Sequence, residues 1–460
     1  MESIFKLISF NMNKKNRIRI ISIVSFLMGM IWIMAATFRT IKGGYLTIFC
    51  MMLFAYFSMY NIPRDYKLNK TLYLSVFLIA VAYTVSSFLL SIPSRFVIAG
   101  SLAVAIPSLG LILSDSENKS IFFIGFSIGQ IILLIALILI SIVLAPLGEL
   151  QYSSVLLNPN YLMITVVPII ICIIYLIELT IKNKNKKMIV FLYIMLGFAL
   201  SLLFLSQSRT GGLTFIAILI TWLVFMYLKK ERKRNLFYKI ISIFIVSFVA
   251  LQILIFALVS VNRVILENEI LFFGKAYIYS INSHGYIEDL NTSEKEEVLI
   301  DGESNTSGYL FNKNMERYGK GIFSKGRFGS GRLDIWEATI KKLNYTGHDS
   351  NELFFVSSRP RKFMTYTHNA YLQVGYFFGI PAMILFIVFI LLYIVQTLTK
   401  VYKIRFKNEF LEYDDLFVWL CFASFFVLIV PESCCYTGFS LTIDSIFWIS
   451  IPWFKQVKSV

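Results

Sequence analysis

Charge is scarce in this chain. Lys, Arg, Asp and Glu make up 15% of its 460 residues, against 57% hydrophobic residues and a mean hydropathy of +0.72. That balance excludes an ordinary soluble globular domain. Cysteine and histidine are scarcer still, at 5 and 3 residues. Cys50, Cys172 and Cys421 lie inside apolar runs, Cys434 and Cys435 are adjacent, and no spacing forms a zinc or redox pair. Free, buried thiols are the expectation. His284, His348 and His368 are too dispersed for a metal cluster, so neither a metal nor another cofactor is expected. Acidic residues number 27 against 43 Lys plus Arg, a net charge of +16. The basic excess is scattered over separate short segments, which speaks against a nucleic-acid partner.

What the chain has in abundance is long apolar runs. Twelve stretches are long enough to cross ~30 Å of hydrocarbon as helices: 18–38, 43–61, 71–92, 95–114, 120–147, 160–181, 187–207, 211–228, 238–262, 369–396, 413–431 and 437–454. The fourth is interrupted by Pro107. The first lacks a small-residue cleavage site and reads as a retained helix. The pattern predicts an all-α polytopic integral membrane protein with about twelve transmembrane helices. Basic residues set its orientation. With the N-terminus cytoplasmic, the inner side receives Lys14, Lys15, Arg17 and Arg19, then Arg64, Lys67 and Lys70, the 182–187 lysines, the run Lys229–Arg234, and Lys400, Lys403, Arg405 and Lys407. The short loops opposite hold only Arg39, Lys42, Arg95 and Arg209. Both termini are therefore expected in the cytoplasm.

One segment, residues 263–368, is polar, and this orientation places it outside the cytoplasm. It divides the chain into a nine-helix bundle (1–262), an extracytoplasmic loop (263–368) and a three-helix bundle (369–460). The loop carries 14 Lys plus Arg and 14 Asp plus Glu, with the signs segregated. Glu288, Asp289, Glu294, Glu296, Glu297, Asp301 and Glu303 crowd its first half, which lacks apolar periodicity and reads as exposed. The second half is basic. Within it Leu333, Trp336, Ile340 and Leu343 share one face of a short amphipathic helix, 333–343, expected to lie on the membrane surface or cap the bundle.

Three constellations stand out as candidate sites. Ser206-Gln207-Ser208-Arg209-Thr210-Gly211-Gly212 joins two spans, with a charge that is costly there unless it serves a pathway, a partner or the interface. Its double glycine lets a ligand approach the backbone closely. Gly319–Arg332 is glycine-rich and basic. Its backbone N–H groups can converge, and the Arg332 guanidinium offers a fork for phosphate oxygens. It is not a nucleotide-binding P-loop, since the Lys-Ser/Thr ending is missing. Thr367-His368-Asn369-Ala370-Tyr371-Leu372-Gln373 leads into the tenth span and sets an imidazole at the water–membrane boundary, where it can exchange protons.

Taken in order, an Arg-Thr-Gly turn between middle spans, a large outer loop with Gly331-Arg332…Trp336, and a His-Asn-x-Tyr-Leu-Gln…Gly entry resemble the O-antigen ligase and polysaccharide polymerase family. Asn158-Pro159-Asn160 is similar to a further family element. The resemblance covers about residues 150 to 450. It departs at Gly375-Tyr376-Phe377-Phe378-Gly379, where many members carry an acidic residue after the first glycine. It implies a metal-independent membrane glycosyltransferase of GT-C-like fold in the cytoplasmic membrane, acting on undecaprenyl-diphosphate-linked oligosaccharide. Arginines suit such chemistry, because they hold their charge and clamp a diphosphate bidentately without ATP. Arg209 and Arg332 take that role, with Arg95 and Arg359 as further diphosphate ligands. His368 would orient or deprotonate the acceptor hydroxyl, and Glu432, Asn369 and Asn160 are secondary candidates. The Ile/Lys/Asn/Phe-rich composition points to an AT-rich, Gram-positive genome without a lipid A acceptor. This favours a capsule or exopolysaccharide repeat-unit polymerase over a ligase acting on lipid A core or protein, with a chain-length regulator and a flippase as partners. A lipid-linked oligosaccharide flippase is the alternative from another class. Its spans would need charged cavities, whereas here they hold few ionisable residues, Glu178 and Asp444 among them.

Overall fold

The computed structural model describes residues 12–38, 43–61, 66–144, 152–156, 158–267, 332–349, 352–356, 363–364, 366–407, 411–432 and 442–456. Arg359, the acidic half of the polar segment, the glycine-rich stretch up to residue 331, His284, and Cys434 and Cys435 lie outside these residues. The elements run α1 (Lys14–Phe38), α2 (Gly43–Ser58), β1 (Tyr66–Leu68), α3 (Lys70–Leu89), α4 (Ser94–Gly100), a π-helical turn (Ser101–Ala105) and α5 (Ile106–Ile112). They continue with α6 (Ser116–Leu144), α7 (Pro159–Lys182), α8 (Lys186–Leu205), α9 (Arg209–Leu228), α10 (Lys233–Glu267) and α11 (Arg332–Ile340). The chain then forms β2 (Phe354–Phe355), β3 (Phe363–Met364), α12 (Ala370–Phe378), α13 (Ile380–Lys407), α14 (Tyr413–Leu428), α15 (Thr442–Ser450) and β4 (Phe454–Gln456).

Among the described residues nine helical spans are long and apolar enough to cross a membrane, and the protein is a helical membrane protein. Among the described residues, three of the apolar runs form shorter helices than the sequence suggests. The second gives α2 with 16 residues, the eleventh gives α14 with 16, and the twelfth gives α15 with 9. The run interrupted by Pro107 stays helical from Ser94 to Ile112. The π-turn accounts for this. Pro107 cannot donate to the carbonyl of Ala103, four residues back, and the Tyr73 hydroxyl donates to that carbonyl instead (3.5 Å).

Contacts divide the chain into two compact units. The first comprises residues 1–24, 44–125 and 324–460. In it α3 packs on α13, and the short antiparallel pair β1–β4 (Tyr66 opposite Gln456) joins the end of the chain to the start of α3. The Asn69 side chain donates to Gln396 (2.7 Å), so the start of α3 lies beside the second half of α13. Buried Asn118 accepts from the backbone N–H groups of Tyr60 and Asn61 (2.7 and 2.8 Å) and donates to the carbonyls of Asn61 and Ile112. This satisfies backbone groups at the ends of α2 and α5 that would otherwise be buried without partners.

The second unit comprises residues 25–43 and 126–323. Its centre is α7, buried at every position from Leu162 to Glu178. A helix that is apolar all round belongs at the middle of a bundle, and α7 is packed by α8 and α9. Asn158 caps it, accepting from Asn160 N (2.8 Å).

The tenth run departs most from the sequence expectation. It is not one span from 369 to 396. Gly379, at φ +90°, breaks it into α12 and α13, and α13 alone has 28 residues. The two helices fold back on each other. Tyr371 meets Phe386 (ring centroids 5.8 Å), and a Cβ at Gly375 would stand 2.9 Å from Met383 Sδ. They form an antiparallel hairpin with Gly379 at its tip. The physical cause is a left-handed backbone position that glycine takes without strain, followed by Pro381 in the first turn of the next helix.

Candidate functional site

Three residues singled out from sequence meet in the first unit. Arg332 opens α11, His368 precedes α12 and Glu432 follows the end of α14. Arg332 Nη2 donates to Glu432 Oε1 (2.7 Å), and His368 Nδ1 stands 3.6 Å from Glu432 Oε2. The Glu432 side chain is 7% exposed, Arg332 19% and His368 32%. The carboxylate is thus the buried hub, giving one oxygen to each base, and the imidazole is the member most open to a substrate. Burial strengthens such charge-assisted contacts. The His368–Glu432 separation exceeds a hydrogen bond, and contacts of this kind commonly tighten only in the substrate complex.

The backbone around His368 is built to hold it. His368 has φ +50°, uncommon for a residue with a side chain. Thr367 N donates to Gln373 Oε1 (2.9 Å), and the Thr367 hydroxyl donates to Asn369 O (2.7 Å). Asn369 is the N-cap of α12, accepting from Leu372 N (3.0 Å), while its Nδ2 donates to Val430 O (3.0 Å). Ala370 N donates to Ile429 O (2.9 Å). Asn369 therefore anchors His368 to the segment carrying Glu432. Thr367 and Gln373 do similar work, which their place in the motif gave no means of separating from chemistry. The one sequence signal for Glu432 as hub was a carboxylate closing an apolar run at Val430-Pro431-Glu432.

Along the hairpin, Tyr371 is level with Phe386, and α14 runs antiparallel to α13, with Tyr393 beside Phe422 (ring centroids 5.0 Å) and Lys400 paired with Asp415. Both ladders place Ala370 and Ile429 at the level of Phe386, seven residues from Gly379. At 1.5 Å per residue, Ala370 and Ile429 lie about 10 Å from the hairpin tip, towards the lysine-bearing end of α13. At this level α13 exposes Ile384, Ile387 and Val388, a surface suited to lipid.

Helix α11 forms at Arg332–Ile340, where the sequence led to a short amphipathic helix. Its buried residues are Ile335 and Thr339, whereas Leu333 and Ile340 are 53% and 57% exposed. Leu333 and Ile340 thus present an outward apolar face. Leu343 lies beyond the helix, against Gly375.

The remaining sequence candidates lie elsewhere. Arg95 is in the first unit but is 4% exposed, and its guanidinium is turned onto main-chain carbonyls. Arg209 and Asn160 belong to the second unit. There Ser208 caps α9, accepting from Gly211 N (3.2 Å) and donating to Asn160 Oδ1 (3.2 Å). Asn160 thus supports the turn that presents Arg209 at the start of α9. Gly211 is needed for packing rather than for ligand approach. A Cβ there would stand 2.7 Å from Leu203 Cδ1 and from Met163 Cγ.

Residues 194–387 match the protein-family model described as O-antigen ligase. The match includes Arg209, Arg332 and His368. No curated protein and no solved structure matches the chain.

Proposed function

Because residues 194–387 form an O-antigen ligase family domain, we propose that the chain is a glycan transferase whose reaction centre is Arg332–Glu432–His368. We take it to be a repeat-unit polymerase of capsule or exopolysaccharide synthesis in the cytoplasmic membrane, with this centre on the extracytoplasmic side. The observation that carries the reading is the meeting of Arg332 and His368, 36 positions apart in sequence, on the one buried carboxylate of Glu432.

In this reading the donor is a growing glycan on undecaprenyl diphosphate, and the acceptor is a hydroxyl of the next lipid-linked repeat unit. The hydroxyl oxygen attacks the anomeric carbon, and the bond from that carbon to the diphosphate oxygen breaks. The diphosphate leaves with the electron pair, and His368 takes the hydroxyl proton at Nε2. Glu432 holds the imidazole and steadies the positive charge it gains. Arg332 spreads its guanidinium between Glu432 and the diphosphate, offsetting charge that grows as the bond breaks. Arg209, at the positive end of the α9 dipole, is a phosphate contact on its own account, and Arg359 keeps the same assignment. The exposed Ile384, Ile387 and Val388 at the level of Ala370 and Ile429 favour a phosphate carried on a lipid over a water-borne sugar nucleotide. Charge neutralisation rests on arginine, without a metal.

Purified full-length protein in nanodiscs, given only undecaprenyl-diphosphate-linked repeat units, is expected to build a ladder of longer products. Products formed only when a separate acceptor is added would make it a ligase. Movement of substrate with no new glycosidic bond would make it a transporter and overturn the reading.

A further inference from the structure

Arg95 stands at a knot in the first unit. Its guanidinium donates to the carbonyls of Phe377 and His348 and to Ser86 Oγ (3.3 Å), and it lies over the Phe378 and Phe377 rings (5.0 and 5.6 Å). Phe377 O is a last-turn carbonyl of α12, which has no partner within the helix, and a cation there also complements the helix dipole. Segment 344–348 wraps over the hairpin tip at this point. Ile380 N donates to Asn344 O (2.9 Å), His348 N to Tyr376 O (2.8 Å) and Ser86 Oγ to Thr346 O (2.6 Å). The approach is so close that only glycine fits twice. A Cβ at Gly347 would stand 2.2 Å from Phe377 O, and one at Gly379 2.2 Å from Tyr345 O. Both glycines also have positive φ, +85° and +90°. Tyr83 stacks on Phe378 at 3.6 Å.

Two arms leave this knot. Towards the N-terminus the chain runs through α11 to Arg332. Along α12 it runs back to His368. Each helix has nine residues, about 13 Å at 1.5 Å per residue, and each begins at the reaction centre and ends towards Arg95. The arms meet again at Glu432. An apex of fixed shape therefore sets the separation of Arg332 from His368.

We infer that Arg95 is a positioning residue for glycan transfer: it locks the apex of the two arms and so the geometry at Glu432, and it does not touch the diphosphate. The inference rests on Arg332–Glu432–His368 being the reaction centre. Arg95 is suited to the task because one planar fork serves several acceptors at once, which lysine cannot copy.

The test uses full-length protein in nanodiscs with an undecaprenyl-diphosphate-linked oligosaccharide, and compares R95M, R95K and S86A with H368A and R332A. For R95M, kcat is expected to fall between about ten- and a hundredfold, as a misplacement near 1 Å would produce. KM and donor Kd should stay within about twofold, as they should when the change is made only in positioning. R95K should recover little of the loss. S86A removes the serine's contacts with Arg95 and Thr346 but leaves Arg95 on its two carbonyls, and should show a smaller kcat loss of the same type, which keeps the test alive should R95M fail to accumulate. Spin labels at Leu333 and Ile384, both exposed, should give a broader distance distribution in R95M. A raised Kd with kcat preserved would make Arg95 a donor ligand. Unchanged kcat in R95M and S86A, with H368A and R332A inactive, would sink the positioning role while leaving the centre intact. Active H368A and R332A would instead overturn the centre itself.

Discussion

The Glu178 cluster of the second unit and the Glu432 cluster of the first differ in how completely they are used up. In the second unit Lys239 Nζ meets both oxygens of Glu178 (2.9 and 2.8 Å) and Glu231 Oε2 (3.0 Å), while Trp222 Nε1 donates to Glu178 Oε1 (2.9 Å). All three ammonium protons have an acceptor, and the Lys239 and Glu178 side chains are 9% and 2% exposed. In the first unit Glu432 is as deeply set, but His368 is a third exposed and approaches the carboxylate by Nδ1 alone. The first arrangement is a closed lock between α7, α9 and α10. The second keeps a titratable nitrogen available. Buried charge marks both, so burial alone does not identify a site. Unspent donor and acceptor capacity does. The lock also bears on the transporter reading, since Glu178 is committed to protein partners.

The sharpest contrast should come from removing the available base. H368A is expected to reduce chain extension by about a hundredfold or more, the scale of general acid–base catalysis, with the melting temperature of the detergent-solubilised protein unchanged. The opposite split is expected in the lock. Leaving one buried partner uncompensated costs about 3–5 kcal/mol, so K239M should lower the melting temperature markedly while turnover per folded molecule is kept. E178L/K239M should regain much of that stability, and failure to do so would show that the pair is not the unit that matters. E432Q keeps the shape of the hub but removes its charge. It should lower kcat by about tenfold or more, because hydrogen bonds to charged groups are the stronger ones, and it should leave thermal stability nearly constant. The smallest effect belongs to packing. G211A forces Leu203 and Met163 aside and should cost about 1–3 kcal/mol in unfolding measurements, without altering KM for the donor.

Much of this was legible in the sequence, for identifiable reasons. Apolar runs of eighteen residues or more declare membrane helices because length and composition suffice. Arg332 stood out as a guanidinium fork closing a glycine-rich stretch, and His368 as an imidazole able to exchange protons at the water–membrane boundary. The fold-back at Gly379 was not legible. Residues 369–396 carry no charge and are mostly apolar, and hydropathy does not distinguish one long helix from a hairpin. Only the φ of Gly379 and the contact of Tyr371 with Phe386 do so. Periodicity found the apolar stripe of α11 but gave no sign of the Arg332–Glu432 contact that ties the start of that helix to the segment after α14. Arg95 was read as a phosphate ligand from its place in a loop, whereas its partners are carbonyls of Phe377 and His348, more than 250 residues away.

The central claim is that His368, held by Glu432, takes the acceptor proton while Arg332 stabilises the leaving diphosphate. A single-turnover assay in nanodiscs, with a labelled undecaprenyl-diphosphate-linked repeat unit as donor and an unlabelled one as acceptor, tests it most directly. The account predicts that wild-type protein forms the extended glycan within one turnover, while H368A and R332A bind the donor and form almost none. Extension at the wild-type rate in H368A would contradict it.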